Sequence, residues 1–305
     1  MLSQLLFTRH IATHNVDITN VEEFAMRFNI WQEKDSIINI HNMDPTATYT
    51  LGHNKFSTWT QEEYEAILGF KPQPRNGVFE NNTPNADNVD WRDQGCVTAV
   101  KDQGACGSCW AFSTTGSMEG AHCAAGNTLV SLSEQQLVDC DRGDGNQGCN
   151  GGDMLTAMDW TETHALATET DYPYKGTDGT CKSSVSGVVE CTKPVGITVN
   201  SESALMASIE TAPTSVAIGA NAISFQVYAG GIYDPKDKLY PCNTDLDHGV
   251  LAVGYGTNDK GQSYYIVKNS WGSSWGDKGY IYFIRTGDGD GTCGIQMDPS
   301  RAVTN

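Results

Sequence analysis

Cys109 stands at the junction between a glycine-rich turn and an apolar stretch, where a thiol is well placed to act as a nucleophile. The turn contains Gly104 and Gly107, and the apolar residues that follow at helical spacing are Trp110, Phe112, Met118 and Ala121. This pattern predicts that Cys109 lies on the first turn of a helix. The partial positive charge and unpaired N–H groups of a helix N-terminus favour the thiolate, which is the reactive form.

A nucleophilic thiolate also needs a base and donors that stabilise negative charge on the attacked carbonyl oxygen. The backbone N–H of Cys109 and the side-chain amide of Gln103 are candidates for these donors. His248 precedes an apolar strand pattern and is the candidate base, and Asn269 is the candidate group that orients it. Each residue alone is more often structural, but together they predict a Cys-His-Asn arrangement.

Around these residues the chain resembles the papain family of cysteine peptidases, in its cathepsin L-like branch. The Cys-Gly-Ser-Cys-Trp motif with a downstream His and Asn is a signature of this family. The matching stretches, in the family's order, are Val89 to Arg92, Gln103 to Phe112, Leu132 to Cys140, Gly148 to Gly152, Asp171 to Tyr174, Asp247 to Gly249 and Lys268 to Gly272. The resemblance covers most of the chain.

The resemblance implies an α+β, papain-like fold with a helical lobe and an antiparallel β-barrel lobe, preceded by a helical pro-domain. It implies an inhibitory pro-region with an extended linker at residues 1–84 and a peptidase domain at 85–305. Helical patterns over about 94–195 and period-two apolar runs over about 196–300 agree with a helical lobe followed by a β lobe. Cys109 and His248 are then expected to face each other across the cleft between the lobes.

The resemblance also implies an endopeptidase, made as a latent zymogen, that hydrolyses peptide bonds through an acyl-enzyme on Cys109. The implied roles are oxyanion donor for Gln103 and acid/base for His248. Asn269 would orient His248, and Trp271 would shield the contact between them. A His-His insertion, which makes some relatives exopeptidases, does not occur between Cys109 and Cys149.

The implied substrate-binding residues are Gly151, Gly152, Met154, Ala217, Gly249, Trp271 and Asp298. Met154 and Ala217 make the pocket for the second residue before the scissile bond apolar, so Leu, Val or Phe should fit. Asp298 is placed at the base of this pocket by its offset from Cys293 alone. We therefore expect Leu to be preferred and Arg to be tolerated.

The first 84 residues contain no cysteine and read as a helical subdomain. Thr19 to Glu22 resembles a capping box. The residues that match the pro-region pattern of cathepsin L-like zymogens are Glu23, Arg27, Trp31, Ile38, Asn42, Gly52, Asn54 and Phe56. Lys34 stands where that pattern usually has Asn, and Thr58 replaces its usual acidic residue. Thr58 lacks an ionisable side chain, which argues against an acid-triggered release of the pro-region through this position.

The stretches from Lys71 to Gly77 and from Glu80 to Pro84 form a polar, Pro-rich linker. Proline favours an extended backbone here. The resemblance implies that this segment runs through the active site in the non-productive direction and blocks it. We place the start of the mature enzyme near Asn85.

Ten cysteines indicate an oxidising compartment. The resemblance implies the disulfides Cys106–Cys149, Cys140–Cys181 and Cys242–Cys293, with Cys109 free. Cys96, Cys123 and Cys191 remain, and either Cys96 and Cys123 form a fourth bridge or all three are buried thiols.

A formal net charge of −18 argues against a nucleic acid or an anionic membrane surface as the main partner. No run of about 18 apolar residues exists, so no membrane span is expected. No zinc spacing or phosphate loop occurs, and no metal or cofactor is expected. The expected partners are peptide and protein substrates, the chain's own pro-region in the cleft and cystatin-like inhibitors, and the chain is expected to be a monomer.

The N-terminal residues do not form a convincing signal peptide, because their apolar part is short and no small-residue cleavage site follows. Relatives of this kind are normally lysosomal, endosomal or secreted. Two other functions remain open from the sequence. One is a non-enzymatic binder, such as a pro-domain-like inhibitor or an inactive scaffold. The other is a different Cys-His enzyme, such as an acyltransferase.

Overall fold

The computed structural model of the chain describes residues 2–75, 79–143, 145–236 and 239–305. Asn76 and Gly77 of the predicted linker lie outside the described residues. No helix of the described part is both long and apolar enough to cross a membrane. The predicted α+β architecture, with two lobes preceded by a helical pro-domain, is confirmed.

Besides a 3-10 helix at Lys55–Thr58, the described part of the pro-domain contains three α-helices and one short strand. They are α1 (Leu2–His14), α2 (Val21–Asn42), β1 (Tyr49–Leu51) and α3 (Gln61–Glu65). Asn20 caps α2, since its side chain accepts a hydrogen bond from the N–H of Glu23 at 2.8 Å. The helix therefore begins at Val21, one residue later than the predicted capping box with Thr19 as N-cap implies. The ring of Phe7 lies 5.2 Å from that of Phe24 and 5.9 Å from that of Trp31, which joins α1 to α2.

The two departures from the pro-region pattern have specific contacts. Lys34 is buried, and its Nζ donates to the carbonyls of Phe56 at 2.7 Å and Trp59 at 3.2 Å. Thr58 is also buried, and Arg27 donates to its carbonyl at 2.9 Å. The carboxylate partner of Arg27 across the subdomain is Glu63 on α3, with one contact at 2.6 Å.

The helical lobe contains α4 (Cys109–Ala124), α5 (Glu134–Cys140) and α6 (Met154–Thr161). The side chains of α4 are buried on every face through most of its length, as expected for a helix in the middle of a protein. Gly120 lets the other lobe approach α4 closely, because a Cβ there would lie 2.3 Å from Cγ of Pro213. This close contact fixes the helix that begins at Cys109 against the β lobe.

The β lobe is built on one sheet, whose strands after β1 are β2 (Val89–Asp90), β3 (Cys191–Gly196), β4 (Thr214–Ile218), β5 (Tyr228–Tyr233), β6 (His248–Thr257), β7 (Ser263–Lys268), β8 (Tyr280–Ile284) and β9 (Ser300–Thr304). The strand order is β1-β5-β8-β7-β6-β4-β9-β3, with β2 paired to β6. The strands are antiparallel except for β5 and β8, which run parallel. Two helices accompany them, α7 (Glu202–Thr211) and α8 (Ile223–Gln226).

The pro-domain docks on the β lobe by adding β1 to the sheet edge at β5, with Tyr49 opposite Gly231. Phe56 and Tyr64 of the pro-domain are fully buried in the same apolar core as Trp271. The ring of Phe56 lies 4.9 Å from that of Trp271. The pro-domain therefore packs directly over the residues next to Asn269.

Four disulfides occur among the described residues. They are Cys96–Cys123, Cys106–Cys149, Cys140–Cys181 and Cys242–Cys293. Cys109 and Cys191 are free and buried. The structure thus contains the three pairs implied by the resemblance and also the fourth bridge.

Candidate active site

Cys109 is the first residue of α4, and its side chain has no solvent exposure. The backbone N–H of Gly249, on β6 of the other lobe, donates to its Sγ at 3.4 Å. Burial raises the pKa of the Cys109 thiol to about 11, against the lowering effect of the N–H groups of Gly249, Gly69 and Trp110. The thiol is therefore held neutral in this form of the protein.

His248, the first residue of β6, is held by Asn269 at the end of β7. Nε2 of His248 lies 2.8 Å from Oδ1 of Asn269, and the same oxygen accepts from the N–H of Ser270 at 2.8 Å. Because Oδ1 can only accept, Nε2 carries the proton and Nδ1 is the free base. Nδ1 is buried and has no hydrogen-bond partner among the described residues. Burial lowers the pKa of His248 to about 4, although the bond to Asn269 raises it.

Trp271 covers the contact between His248 and Asn269. Its ring is stacked on the imidazole of His248, with centroids 4.6 Å apart and planes inclined by 26°. The indole Nε1 of Trp271 donates to Oε1 of Gln103 at 3.1 Å. The indole thus excludes water from the histidine and also ties it to the predicted oxyanion donor.

Gln103 is fully buried with a fixed amide orientation. Its Oε1 accepts from Trp271 and from the hydroxyl of Ser270, the latter at 2.7 Å. Its Nε2 donates to the carbonyls of Cys106 and Ile67, each at 2.9 Å. Ile67 belongs to the pro-domain, so the amide that is predicted to bind an oxyanion is engaged by the pro-domain's own backbone.

Residues 66–75, which we call the pro-segment, lie in the cleft between the lobes. The carbonyl of Gly69 accepts from the N–H of Gly152 at 2.8 Å, and the N–H of Lys71 donates to the carbonyl of Gly152 at 2.8 Å. These two bonds pair Phe70 with Gly152 in the parallel sense. Gly69 passes so close to the loop before Cys109 that a Cβ would lie 1.9 Å from the carbonyl oxygen of Gly107. Only glycine fits at this crossing.

Phe70 fills an apolar pocket beside Cys109. Its side chain is 2 % exposed and shares a buried cluster with Cys109, Met154 and Ala217. Gly249 borders the same pocket, since a Cβ there would lie 2.9 Å from Sδ of Met154. Met154, Ala217 and Gly249 therefore lie around the one pocket that Phe70 fills.

Gly151 and Gly152 line the cleft beside this pocket. Gly151 has φ +111°, and a Cβ there would lie 2.6 Å from the carbonyl oxygen of Gly69. The predicted pocket base, Asp298, is 6 % exposed and forms an ion pair with Arg75 of the pro-segment. Burial raises the pKa of Asp298 to about 6, although Arg75 lowers it.

The sequence did not identify Ile67, Phe70, Arg75 or Asp153 as site residues. Arg75 is a basic residue in a Pro-rich stretch, and the surrounding sequence gives little indication that it forms an ion pair. Asp153 follows Gly152 and precedes Met154, both of which were identified. Among the described residues, no group of three or more His, Cys, Asp or Glu side chains is arranged to hold a metal ion.

Two family models match the chain. Residues 85–303 match the papain family cysteine protease model, and residues 7–64 match the cathepsin propeptide inhibitor domain (I29). Among curated relatives, the thiol protease SEN102 of Hemerocallis sp. is 41 % identical over 95 % of this chain and 84 % of its own length. Digestive cysteine proteinase 1 of Homarus americanus is 44 % identical over 92 % of this chain and 88 % of its own length.

Solved proenzymes have the same fold along the whole chain. A recombinant stem bromelain precursor superposes with a TM-score of 0.89 at 34 % identity, covering 99 % of both chains. A digestive procathepsin L 3 from the larval midgut of Tenebrio molitor superposes with a TM-score of 0.88 at 36 % identity, again over 99 % of both chains. Both similarities include the pro-domain and the domain that it covers.

Proposed function

This chain belongs to the papain family of cysteine proteases and is a zymogen with its own propeptide inhibitor domain, and we propose that Cys109 is its nucleophile, with His248 as acid/base. The observation that carries the proposal is the convergence of Cys109, His248, Asn269 and Gln103 at one cleft. These residues come from segments that are far apart in sequence, and each is held by contacts that suit its role.

In the proposed reaction, Nδ1 of His248 takes the proton of the Cys109 thiol and the resulting thiolate attacks the carbonyl carbon of the scissile bond. The amide of Gln103 and the backbone N–H of Cys109 stabilise the oxyanion. His248 returns its proton to the leaving amine as the C–N bond breaks. A water molecule, deprotonated by His248, then attacks the thioester and releases the acid product and the free thiol.

Latency follows from the position of the pro-segment. It covers the Cys109 thiol, engages Nε2 of Gln103 and fills the apolar pocket with Phe70. Its parallel pairing with Gly152 supports the proposal that it runs opposite to a productive substrate. We propose that activation removes residues 1–84 and that the mature enzyme starts near Asn85. The start of the papain family match at residue 85 supports this boundary.

We propose an endopeptidase that prefers an apolar residue, Leu above all, two before the scissile bond, because Met154 and Ala217 line the pocket there. Gly152 provides backbone hydrogen bonds beside that pocket, Gly151 leaves room for the substrate backbone, and Gly249 leaves the pocket open. Asp298 lets Arg be tolerated. The natural substrates are proposed to be proteins and peptides.

We also propose that the enzyme acts as a monomer in a lysosomal, endosomal or extracellular compartment and is bound by cystatin-like inhibitors. The four disulfides support an oxidising compartment. Two relatives from Homarus americanus are named digestive cysteine proteinases 1 and 3, which supports a role in protein digestion.

The experiment that tests the function compares the purified chain with its Cys109→Ala variant at about pH 5, where histidines protonate, with a thiol reductant and a fluorogenic Leu-Arg peptide. We expect peptidase activity to appear together with a cut near Asn85 in the wild type only. A wild type that stays silent even after another protease has removed its pro-region would contradict the proposal. Transfer of the acyl group to an added amine, without hydrolysis, would point to an acyltransferase instead.

A further inference from the structure

The linker that follows the pro-segment makes a further contact with the peptidase domain, at the edge of the β lobe. In the cleft, Arg75 pairs with Asp298, and its Nη2 lies 3.6 Å from Oδ2 of Asp153. Further along the chain, Phe79 and Glu80 lie against β3, the terminal strand of the sheet. An edge strand carries unpaired backbone N–H and C=O groups, which can pair with another extended chain.

The backbone of Glu80 pairs with this edge. Its N–H donates to the carbonyl of Gly196 at 3.0 Å, and its carbonyl accepts from the N–H of Thr198 at 2.9 Å. The intervening N–H, that of Ile197, donates in the other direction to the carbonyl of Pro299 at 3.1 Å. One linker residue thus satisfies an outward-facing donor and an outward-facing acceptor of the edge, with the chains parallel.

The aromatic ring of Phe79 packs on the flat surface that Gly196 provides. A Cβ at Gly196 would lie 2.8 Å from Cδ1 and 2.9 Å from Cε1 of this ring, and the three atoms nearest to it all belong to Phe79. Gly196 does not have a positive φ. The absence of a side chain at this position is therefore required by the ring of the linker and not by the fold of β3.

Arg301, on the neighbouring strand β9, holds the side chain of Glu80. Its Nη2 donates to Oε2 of Glu80 at 2.8 Å, and Arg301 is only 5 % exposed. Its Nε is buried without a hydrogen-bond partner, and no other carboxylate of the described residues forms an ion pair with this guanidinium. Because a poorly solvated cation without an anion is disfavoured, loss of the linker leaves a group that favours a new carboxylate.

We propose that Gly196, Thr198 and Arg301, which we call the edge site, form a second peptide-binding site of the processed enzyme. The edge site takes an extended segment of another polypeptide in which an aromatic residue is followed by an acidic residue. The ring of that segment lies on Gly196, its carboxylate pairs with Arg301, and its backbone adds to the sheet edge.

The linker occupies the edge site in the zymogen and vacates it when residues 1–84 are removed. The inference therefore rests on the proposed processing, but it does not depend on the proposed catalytic roles.

Binding is measured by fluorescence anisotropy on the Cys109→Ala protein after another protease has removed its pro-region and intact mass has confirmed the loss of residues 79–80. The probe is a labelled peptide with the sequence of residues 79–84, Phe-Glu-Asn-Asn-Thr-Pro, blocked at both ends. We expect saturable binding that weakens at least about tenfold when the glutamate of the peptide is replaced by glutamine, or its phenylalanine by alanine. Equal binding of the three peptides, or no binding at millimolar concentration, would overturn the edge site.

Gly196→Ala tests the edge site from the side of the enzyme, because the added methyl group occupies the position of the ring. It should weaken binding of the peptide at least about tenfold. Gly230→Ala, on β5 near the other end of the sheet, is the matched control, since a Cβ there has no atom within 4 Å. Unchanged binding in Gly196→Ala would also overturn the edge site.

The same two substitutions in processed enzyme that retains Cys109 should leave kcat/KM for the Leu-Arg peptide within about twofold of its original value, because that short peptide binds in the cleft. If the processed enzyme cleaves no peptide but the probe binds as predicted, the proposed function fails and the edge site stands.

Discussion

Gln103 donates a hydrogen bond of 2.9 Å from its Nε2 to the backbone carbonyl of Ile67 in the pro-segment. Two residues further along, Gly69 crosses the loop that leads to Cys109. The carbonyl that Gln103 binds is therefore that of Ile67, beside the Cys109 thiol, and not a carbonyl placed for attack by that thiol. The zymogen is latent because the pro-segment occupies the catalytic groups but does not place a peptide bond where Cys109 could cleave it.

The first prediction concerns Gln103 as the oxyanion donor. Gln103→Ala in the processed enzyme should lower kcat by about 10²- to 10³-fold with little change in KM, because the donor acts on charge that develops in the transition state. Steady-state kinetics with the Leu-Arg peptide measures this. Ser270→Ala removes only one hydrogen bond to Oε1 of Gln103 and should cost less than about tenfold. A Gln103→Ala enzyme with the wild-type kcat would exclude the role.

The second prediction concerns Asn269. Its hydrogen bond raises the pKa of His248, so Asn269→Ala should lower that pKa. Because the thiolate–imidazolium pair is lost when His248 deprotonates, the alkaline limb of the kcat/KM profile should move to lower pH. The maximal kcat/KM should fall by about tenfold or more, the loss of one charged hydrogen bond. A lower rate with an unmoved alkaline limb would mean that Asn269 does not act through His248.

The third prediction concerns Phe70 as the pocket anchor of the pro-segment. Phe70→Ala removes a buried aromatic side chain, at an expected cost of about 3–5 kcal/mol to the packing of the pro-segment. The full-length protein should then show peptidase activity before any cut and should process itself at least about tenfold faster. Lys71→Ala is the matched control, since Lys71 is exposed. Equal processing of the two variants would contradict the anchoring role.

The peptide-binding cleft shows what the sequence predicts and what it does not. Cys109 and His248 each lie at the start of a regular element, a helix and a strand, so local patterns place them well. Arg75 and Asp298 are 223 positions apart by their numbers, and nothing local in either stretch indicates that they meet. Asp153 has a helix-capping role that explains its residue type without any reference to a ligand.

In the fold, too, local sequence patterns predict some elements and fail to predict others. Period-two apolar runs coincide with four strands, β4, β6, β7 and β8, whereas the run from Val195 to Val199 overlaps β3 only at its last two residues. The strand at Tyr228–Tyr233 contains two adjacent glycines, and the strand at Ser300–Thr304 contains a charged residue, so neither has a clear apolar alternation. The helix at Glu202–Thr211 was missed because the apolar runs on both sides of it dominate the pattern.

The fourth prediction is acid destabilisation of the pro-domain by three neighbouring histidines. The ring of His10 lies 4.4 Å from that of His14 and 5.5 Å from that of His53, with the cation of Lys34 also acting on His10 and His53. Burial lowers the pKa of all three histidines, to about 3 for His10. Asp35 contacts His53 at 3.1 Å and opposes the shift there.

The direction in which pH changes the stability of the pro-domain follows from proton linkage. A histidine whose folded pKa lies below its unfolded value of 6.5 binds more protons when unfolded, so stability is full above about pH 6.5 and falls as the pH drops towards 3. The unfolding temperature of the Cys109→Ala chain should therefore fall between pH 7 and pH 5, and His10→Gln should reduce that fall. His164→Gln, at an exposed position, is the control. A fall that His10→Gln leaves unchanged would exclude this cluster as its cause.

The central claim, that Cys109 is a nucleophile covered by its own pro-segment, is tested most directly by locating a covalent label. Zymogen and processed enzyme are treated with a thiol-reactive peptidyl epoxide and analysed by peptide mass spectrometry, with Cys191 as the internal comparison because it is the other buried free thiol. We predict labelling of Cys109 in the processed enzyme, at least about 100-fold faster than in the zymogen, and no labelling of Cys191. Equal labelling of Cys109 in both forms, or labelling of Cys191 instead, would contradict the account.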